Sequence, residues 1–331
     1  MQGTSMTPAL QLEILDLRHF SAASLRPLLE AEARLWSERL EWDYRASADL
    51  LLQYLDSRVL PGYVAVENGR IAGYLFCVYE DRKAVIGDVF AVQPSNSEIS
   101  PADIELRLLE SLIELLKNSP GVERIESQLL LHPHGLHASA FRAAGFQVYS
   151  RLFMRLDLSR ILAATAPPSL PQDLVMRPWH EDDFNAAAYL ISSAYQGHLD
   201  SHINDQYRSV AGSLRFLHNI VRFPGCGLFD ASASRVLVHT DSNDIVGALL
   251  CSRVREDVGH VTQLCVAKGS RSHGLGRILI DECAAHLKAK GFCALTLTVT
   301  EANQSAVALY RRAGFETTHT FDAMLWEKGS S

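Results

Sequence analysis

Two glycines stand at the start of an apolar, helix-like stretch in RSHGLGRIL, residues 271–279. Glycine inside a helix costs roughly 0.5–1 kcal/mol relative to alanine, so Gly274 and Gly276 point to a local requirement. Without Cβ atoms the backbone can approach an anion closely, and a helix N-terminus offers unpaired N–H groups and the positive end of its dipole. The spacing therefore predicts an anion-binding loop, with an ordinary loop before a helix as the alternative.

Two histidine-rich segments carry the donor types of a metal site. HPHGLH contains His132, His134 and His137, which are spaced closely enough for zinc but have no obvious carboxylate or thiolate beside them in the sequence. YQGHLDSHINDQY mixes imidazoles and carboxylates: His198, Asp200, His202 and Asp205. Both segments are interpreted as surface loops, and no metal is expected.

The glycine loop lies within an α/β pattern that occurs twice. In the second half, GHVTQLCV and CALTLTVT read as strands because apolar and polar residues alternate, while ILIDECAAHLKAKG and NQSAVALYRRAGFE read as amphipathic helices. In the first half, AVIGDVFAV, ADIELRLLESLIELLK, RIESQLLL and HASAFRAAGFQ follow in the same order. The sequence therefore predicts an internal duplication of one mixed α/β unit.

A proline-rich stretch separates the two halves. SRILAATAPPSLPQ, residues 159–172, has the composition of an extended connector. We therefore predict domains at residues 1–160 and 173–331, joined by a linker at residues 161–172.

The polar and glycine residues that stand out in the second half are absent from the first. Aligning Val92 with Val266 and Gly145 with Gly314 pairs the two halves. The first half then has Ser97, Ser100, Ala102, His134, Phe141 and Ile86 where the second has Arg271, Gly274, Gly276, Asn303, Tyr310 and His260. We expect the first half to have the same fold as the second but to lack the residues that could carry out a reaction.

Composition narrows the class of protein. The 331 residues include 47% hydrophobic residues and carry a net charge of −7, with 31 basic and 38 acidic side chains. No basic run forms a patch, which disfavours nucleic acid as a partner. The six cysteines form no CxxC pair, and no basic, apolar leader opens the sequence. A cytoplasmic protein without a membrane span is expected, and the oligomeric state is left open.

The second half combines a strand ending in LCV, the spacing Arg271-x-x-Gly274-x-Gly276, Asn303 and LYRRAGF. This combination resembles the GNAT superfamily of acyl-CoA-dependent N-acetyltransferases, closely over about residues 174–328 and in outline over the first half. The resemblance implies two tandem GNAT-like domains, each a mixed, mostly antiparallel twisted sheet flanked by helices. A dinucleotide-binding fold is disfavoured because the glycines lack the G-x-G-x-x-G spacing.

The resemblance implies that the second half binds acetyl-CoA as a co-substrate. Backbone N–H groups would hold the pyrophosphate, and the residues are Arg271, Ser272, His273, Gly274, Leu275, Gly276 and Arg277. Arg271, His273 and Arg277, together with Lys268, could add positive charge. Main-chain groups of Leu264, Cys265 and Val266 would bond the pantetheine arm at a splayed strand end, where ladder partners are lost, and Asn303 would bind a coenzyme A amide or cap a helix.

Acetyl transfer to an amine also needs an acid and a base. The resemblance places Tyr310 near the thioester sulfur as the acid for the departing thiolate. His260 is the candidate base, since an imidazole with a pKa near 6.5 could take the amine proton. Deprotonation relayed by water is the alternative.

The acceptor is predicted only as a class, a small-molecule or peptide amine. Tyr195, His198, Asp200 and His202 are candidate acceptor contacts, because a cationic amine favours negative and aromatic partners. Two alternatives stay open: acyl transfer to a thiol or hydroxyl, and a catalytically silent acyl-CoA sensor whose first half docks a partner.

Overall fold

The structure is a computed structural model that describes residues 12–93, 97–161, 170–223 and 225–329. It divides into two compact units, which do not coincide with the two halves of the sequence. Unit 1 comprises Met1–Leu35, Ser47–Val148 and Asp322–Ser331, and unit 2 comprises Trp36–Ala46 and Tyr149–Phe321, within the described residues. The boundaries at 160 and 173 stay a prediction for independently folding domains, and most of the proposed linker, residues 162–169, lies outside the described residues.

The helices and strands follow the predicted order in both halves. The first half contains β1 (Leu12–Asp16), α1 (Ala22–Leu40), α2 (Arg45–Asp56), β2 (Gly62–Glu67), β3 (Arg70–Glu80), β4 (Lys83–Ala91), α3 (Pro101–Asn118), β5 (Arg124–Gln128), α4 (Ala138–Ala143) and β6 (Gln147–Asp157). The second half contains β7 (Leu174–Pro178), α5 (Phe184–Tyr195), α6 (Asp200–Ile203), α7 (Val210–Arg222), β8 (Leu228–Phe229), β9 (Arg235–His239), β10 (Ile245–Arg255), β11 (Val258–Val266), α8 (Leu275–Ala289), β12 (Ala294–Thr300), α9 (Gln304–Arg312) and β13 (Glu316–Glu327).

The sheet of unit 1 runs β1-β2-β3-β4-β5 and ends on the second half of β13. Its pairings are antiparallel except for β4 with β5. Helix α3 begins after Ser100, with Pro101 at its first position, where a missing N–H costs nothing. Its apolar residues recur every three or four positions, so that Ile104, Leu108 and Leu112 are buried in the core of this unit.

The sheet of unit 2 runs β6-β12-β11-β10-β9-β7, with the first half of β13 beside β6. Only the pairing of β11 with β12 is parallel among the pairings whose register is defined in this unit. Leu249 and Cys251 of β10 pack in the core with α8, whereas Ala248 and Leu250 pack with α5 and α7. Because side chains alternate across a strand, the helices cover both faces, and the predicted mixed, mostly antiparallel sheet flanked by helices is confirmed.

No helix in the described part of the chain combines the length and apolar character that crossing a bilayer demands.

Candidate active site

Strands β11 and β12 separate at the centre of unit 2. Their parallel pairing ends where Val261 meets Leu297. Beyond a bulge at Thr262, β11 continues beside β10 as far as Val266, while β12 continues beside β6 as far as Thr300. The splayed strand end that the resemblance implies is therefore present.

Backbone groups of β11 point into this separation. The N–H of Leu264 donates to Gln263 Oε1 at 3.0 Å, and the carbonyl of Val266 accepts from Arg271 Nε at 3.1 Å, so neither group is bonded to β10. In an antiparallel ladder the N–H and C=O of one residue face the same side. Leu264 and Val266 thus present main-chain groups to the opening, while Cys265 lies between them and faces β10.

The glycine loop ends in an open helix N-terminus. Gly274 has φ = 77° and no side chain caps the first turn of α8, which begins at Leu275. Ser272 also has a positive φ, of 67°, so the loop is tightly coiled before the helix. A Cβ on Gly276 would lie 3.2 Å from Leu309 Cδ2, so this glycine permits the close approach of α9. Gly274 thus allows the positive-φ turn before α8, and Gly276 allows α9 to pack closely against α8.

The basic side chains around this loop are bound to the protein. Lys268 Nζ and Arg271 Nη2 donate to carbonyls at the C-terminal end of α5, at 3.0 and 2.8 Å. Arg277 pairs with Asp281 at 2.8 Å and donates to the last carbonyl of α9 at 2.7 Å, while His273 is exposed. These contacts fasten the loop to neighbouring helices and keep positive charge beside it, and the expectation that this charge helps to hold an anion stays a prediction.

Tyr310 lies on α9 and is 8% exposed. Within the described residues its hydroxyl has no hydrogen-bond partner, and its ring contacts Phe315 with centroids 5.9 Å apart. Burial raises the pKa of the phenol, and the Asp200 carboxylate raises it further. The phenol therefore stays protonated at neutral pH, as a proton donor must. Asn303, which begins the same helix, accepts from the Ala306 N–H at 3.3 Å and acts as an N-cap.

The carboxylate of Asp200 lies near the phenols of Tyr310 and two other tyrosines. Asp200 raises the pKa of Tyr195, Tyr207 and Tyr310, although burial is the main cause for each. Its Oδ1 accepts from Thr300 Oγ1 at 2.5 Å, which ties α6 to the end of β12. Two of the predicted acceptor contacts, Tyr195 and Asp200, are thus brought close to the predicted acid.

The remaining predicted acceptor contacts differ in position. His198 Nδ1 accepts from the backbone N–H of Asp200 at 3.1 Å, which fixes the start of α6. His202 is exposed on α6. Tyr207, which the sequence analysis missed, stacks on Tyr195 with centroids 4.5 Å apart.

His260 is buried on β11, at 6% exposure, between Trp42 and Phe153. Thr296 Oγ1 donates its hydrogen to the carbonyl of Gly259 at 3.1 Å, so it can only accept from His260 Nδ1, 2.9 Å away. This network assigns the proton to Nδ1 and leaves Nε2 as the acceptor nitrogen.

Burial, together with the charge of Arg151, lowers the pKa of His260 to about 3. The expectation of an imidazole with an ordinary pKa near 6.5 is therefore wrong, because the ring is removed from water and faces a cation. A neutral imidazole can accept a hydrogen bond at Nε2, but it is a weak base toward an ammonium ion.

This burial predicts an acid-sensitive fold. Between pH 6.5 and about 3 the unfolded chain carries a proton on His260 that the folded chain does not, so stability falls as the pH falls through that window. One proton is worth about 1.4 kcal/mol per pH unit. We expect His260→Gln to flatten the decline in the free energy of unfolding between pH 6 and 4 by about 1 kcal/mol per pH unit, measured by urea titration. The exposed His273→Gln is the control, and equal slopes in all three proteins would contradict the prediction.

Other polar groups at this site were not predicted. Gln263 is buried; its Oε1 accepts from Tyr195 Oη at 3.0 Å, while its Nε2 has no partner among the described residues. Arg151 on β6 donates to Thr298 at 3.3 Å. The alternating threonines of CALTLTVT were the available signal, since Thr296, Thr298 and Thr300 all bond to site residues.

Unit 1 has lost the corresponding features. The side chain of Ser100, which replaces Gly274, accepts from the Asp103 N–H at 3.2 Å and closes the N-terminus of α3. Phe141 and Ile86, in place of the tyrosine and histidine, are buried in the core. The expected difference between the halves is therefore visible in the helix end as well as in the side chains.

The splayed strands and the open helix N-terminus beside them define a GNAT-type fold. Residues 200–315 match the acetyltransferase (GNAT) family, so the chain carries a GNAT acetyltransferase domain and is an acetyl-CoA-dependent acetyltransferase. It is 28% identical to a mycothiol acetyltransferase from Salinispora arenicola over 76% of each chain. It is 43% identical to one from Geodermatophilus obscurus over 20% of this chain, which is 21% of that protein.

Solved structures with the same fold cover nearly the whole chain. A GCN5-related N-acetyltransferase from Sphaerobacter thermophilus superposes with a TM-score of 0.63 at 17% identity, covering 96% of this chain and 95% of that one. A tandem GNAT protein from the clavulanic acid biosynthesis pathway gives a TM-score of 0.59 at 16% identity, covering 97% and 100%. The predicted tandem GNAT architecture is thereby confirmed.

Proposed function

We propose that unit 2 transfers an acetyl group from acetyl-CoA directly to a primary amine, without a covalent enzyme intermediate. The observation that carries the proposal is the presence in unit 2 of an open N-terminus of α8, of a stretch of β11 that has left β12, and of the buried phenol of Tyr310. The N-terminus of α8 suits a phosphate group, and the main-chain donors and acceptors of β11 suit an arm that contains amides. The phenol of Tyr310 suits a leaving thiolate, to which it can donate a proton.

The residues present fit acetyl-CoA, which when bound supplies an acetyl thioester. The carbonyl of Leu264 and the N–H of Val266, which face away from β10, would bond the pantetheine arm, and the N–H groups at the start of α8 offer donors to the pyrophosphate. We propose that the N–H of Val266 also polarises the thioester carbonyl. The side chains of Arg271 and Arg277 hold the loop in place for this purpose.

We propose that Tyr310 donates a proton to the departing thiolate, since burial keeps its phenol protonated. For the base, the low pKa of His260 favours the alternative in which water relays the amine proton, with His260 Nε2 accepting a hydrogen bond from that water or amine. Direct proton abstraction by His260 would have to work against the large gap between its pKa and that of an amine, about 10.4.

The acceptor class follows from the charge beside Tyr310. Asp200 supplies a negative carboxylate, and the stacked rings of Tyr195 and Tyr207 supply aromatic faces. An amine binds in its cationic form to such a group and must lose a proton before attack. This supports an amine acceptor over an alcohol or a thiol, because neither of these carries a positive charge for the carboxylate to pair with.

The experiment measures coenzyme A release with a panel of amines and their hydroxyl and thiol analogues. We expect turnover with amines only, and we expect Asp200→Asn to raise the KM for the amine about tenfold while the KM for acetyl-CoA changes less than twofold. Exposed Asp182→Asn is the control for loss of one carboxylate. Turnover with thiols or alcohols alone would show that the acceptor is not an amine. Tight binding of acetyl-CoA without turnover of any acceptor would favour the alternative of a catalytically silent acyl-CoA sensor.

A further inference from the structure

Two histidines and one glutamate, side chains of the kinds that bind metal ions, form a buried cluster in unit 1. His132 and His137 come from the HPHGLH segment, and Glu105 comes from α3. Glu105 Oε2 lies 3.1 Å from His132 Nε2 and 3.0 Å from His137 Nε2. The sequence offered no carboxylate beside these histidines, and the fold supplies one from a residue 27 positions or more away. The third histidine, His134, instead bonds to Asp322 at 2.5 Å.

All three residues are at least nine-tenths buried: Glu105 is 6% exposed, His132 9% and His137 4%. A carboxylate on the apolar face of a helix is costly unless it is paired or coordinates an ion. The Ala91 N–H donates to Glu105 Oε1 at 3.2 Å, which fixes the carboxylate and leaves Oε2 facing both imidazoles. The cluster is thus oriented by the surrounding fold.

The spacing of these atoms matches a tetrahedral metal centre. Zinc bonds of about 2.1 Å place neighbouring ligand atoms roughly 3.4 Å apart. The two measured separations are slightly shorter, and all three ligand atoms lie within 4.8 Å of one another. Two imidazoles and one carboxylate are ligands that zinc accepts, and they leave one position for a fourth ligand.

A cavity adjoins the cluster on the side of the two histidines. It has room for about one water molecule, and its walls include His132, His137, Leu129 and Met324. The Nδ1 atom of His132 is buried without a hydrogen-bond partner among the described residues. A buried polar atom of this kind requires an explanation, and a water bonded to Nδ1 from the adjoining cavity would supply one.

We propose that Glu105, His132 and His137 form a binding site for a divalent cation of the zinc type. The cation would occupy the space between Oε2 and the two Nε2 atoms, with its fourth position toward the cavity. The proposal concerns unit 1 and does not depend on acetyl transfer by unit 2. It replaces the interpretation of HPHGLH as a surface loop.

The test uses the full chain, stripped with a chelator and then loaded with Zn²⁺ or Co²⁺. We expect one equivalent of zinc per chain by elemental analysis, a visible absorption spectrum typical of four-coordinate Co²⁺, and a rise in Tm with Zn²⁺ but not with Mg²⁺. We expect Glu105→Gln, which is nearly isosteric, to weaken Co²⁺ binding about a hundredfold or more. His134→Gln, in the same segment but bonded to Asp322, should bind like the wild type.

Several outcomes would overturn the site. These are the absence of stoichiometric metal in the wild type, unchanged binding in Glu105→Gln, or equal loss in Glu105→Gln and His134→Gln. Circular dichroism establishes that each variant is folded. If Glu105→Gln does not fold, the wild-type shift in Tm and the variant His137→Gln decide the question.

Discussion

Tyr310→Phe should lower kcat about a hundredfold or more and leave the KM for acetyl-CoA within twofold of the wild type. General acid catalysis contributes typically 10²–10⁴-fold, and a phenylalanine keeps the ring packing while removing only the proton donor. The raised pKa of the phenol adds a second expectation: the wild type should show no loss of activity from Tyr310 ionisation below about pH 10. Steady-state kinetics over this pH range, with acetyl-CoA and a reactive amine, measure both.

A matched control separates catalysis from the loss of any tyrosine hydroxyl. Tyr189 lies on α5 and is 68% exposed, so Tyr189→Phe makes the same chemical change away from the site. Its kcat should equal that of the wild type. An unchanged kcat in Tyr310→Phe would reject the acid assignment, whereas a raised KM for acetyl-CoA with unchanged kcat would make Tyr310 a binding residue.

Gly274→Asp should weaken acetyl-CoA binding about a hundredfold. The substitution places a carboxylate at the positive end of α8, where the pyrophosphate is proposed to bind. Two like charges about 5 Å apart at an effective dielectric constant near 20 repel each other by about 3 kcal/mol, which is about a hundredfold in Kd. Nothing lies within 4 Å of the new Cβ, and aspartate tolerates a positive φ better than most residues. Calorimetric titration with acetyl-CoA measures the change in Kd.

Gly291→Asp is the control for this second prediction. Gly291 follows the other end of the same helix, has φ = 85° and also has open space around its Cβ position. The same change there carries similar backbone strain and an unfavourable dipole interaction, so it should lower Tm without altering the Kd for acetyl-CoA. Equal weakening by both substitutions would trace the effect to strain in α8 and would remove the support for the pyrophosphate cradle.

The features predicted correctly from the sequence are those that depend on neighbours along the chain. The glycine at 274 marked a helix that begins with a positive φ, and Asn303 marked the N-cap of α9, because both signals act within a few residues. The alternation of apolar residues in β11 and β12 gave the strands. The end of their pairing could be anticipated only through the resemblance to a known superfamily.

The features that were missed depend on residues far apart in the sequence. Trp42, from the first half of the chain, packs on His260 at 4.9 Å, and this burial contributes to removing the imidazole from water. No local pattern could have shown that the histidine would have a pKa near 3. Glu105 reaches the histidines at 132 and 137 in the same way, through packing of α3 against the segment before α4.

The exchange of segments between the two units bears on how the protein can fold during synthesis. Strand β6 completes the sheet of unit 2, although nearly all of that sheet is translated after it. Residues 323–327 pair with β5 of unit 1, although they follow all of unit 2 in the sequence. The sheet of unit 1 therefore keeps one edge unpaired until unit 2 has been translated, and expressing the two halves separately would leave both fragments with unpaired strands prone to aggregation.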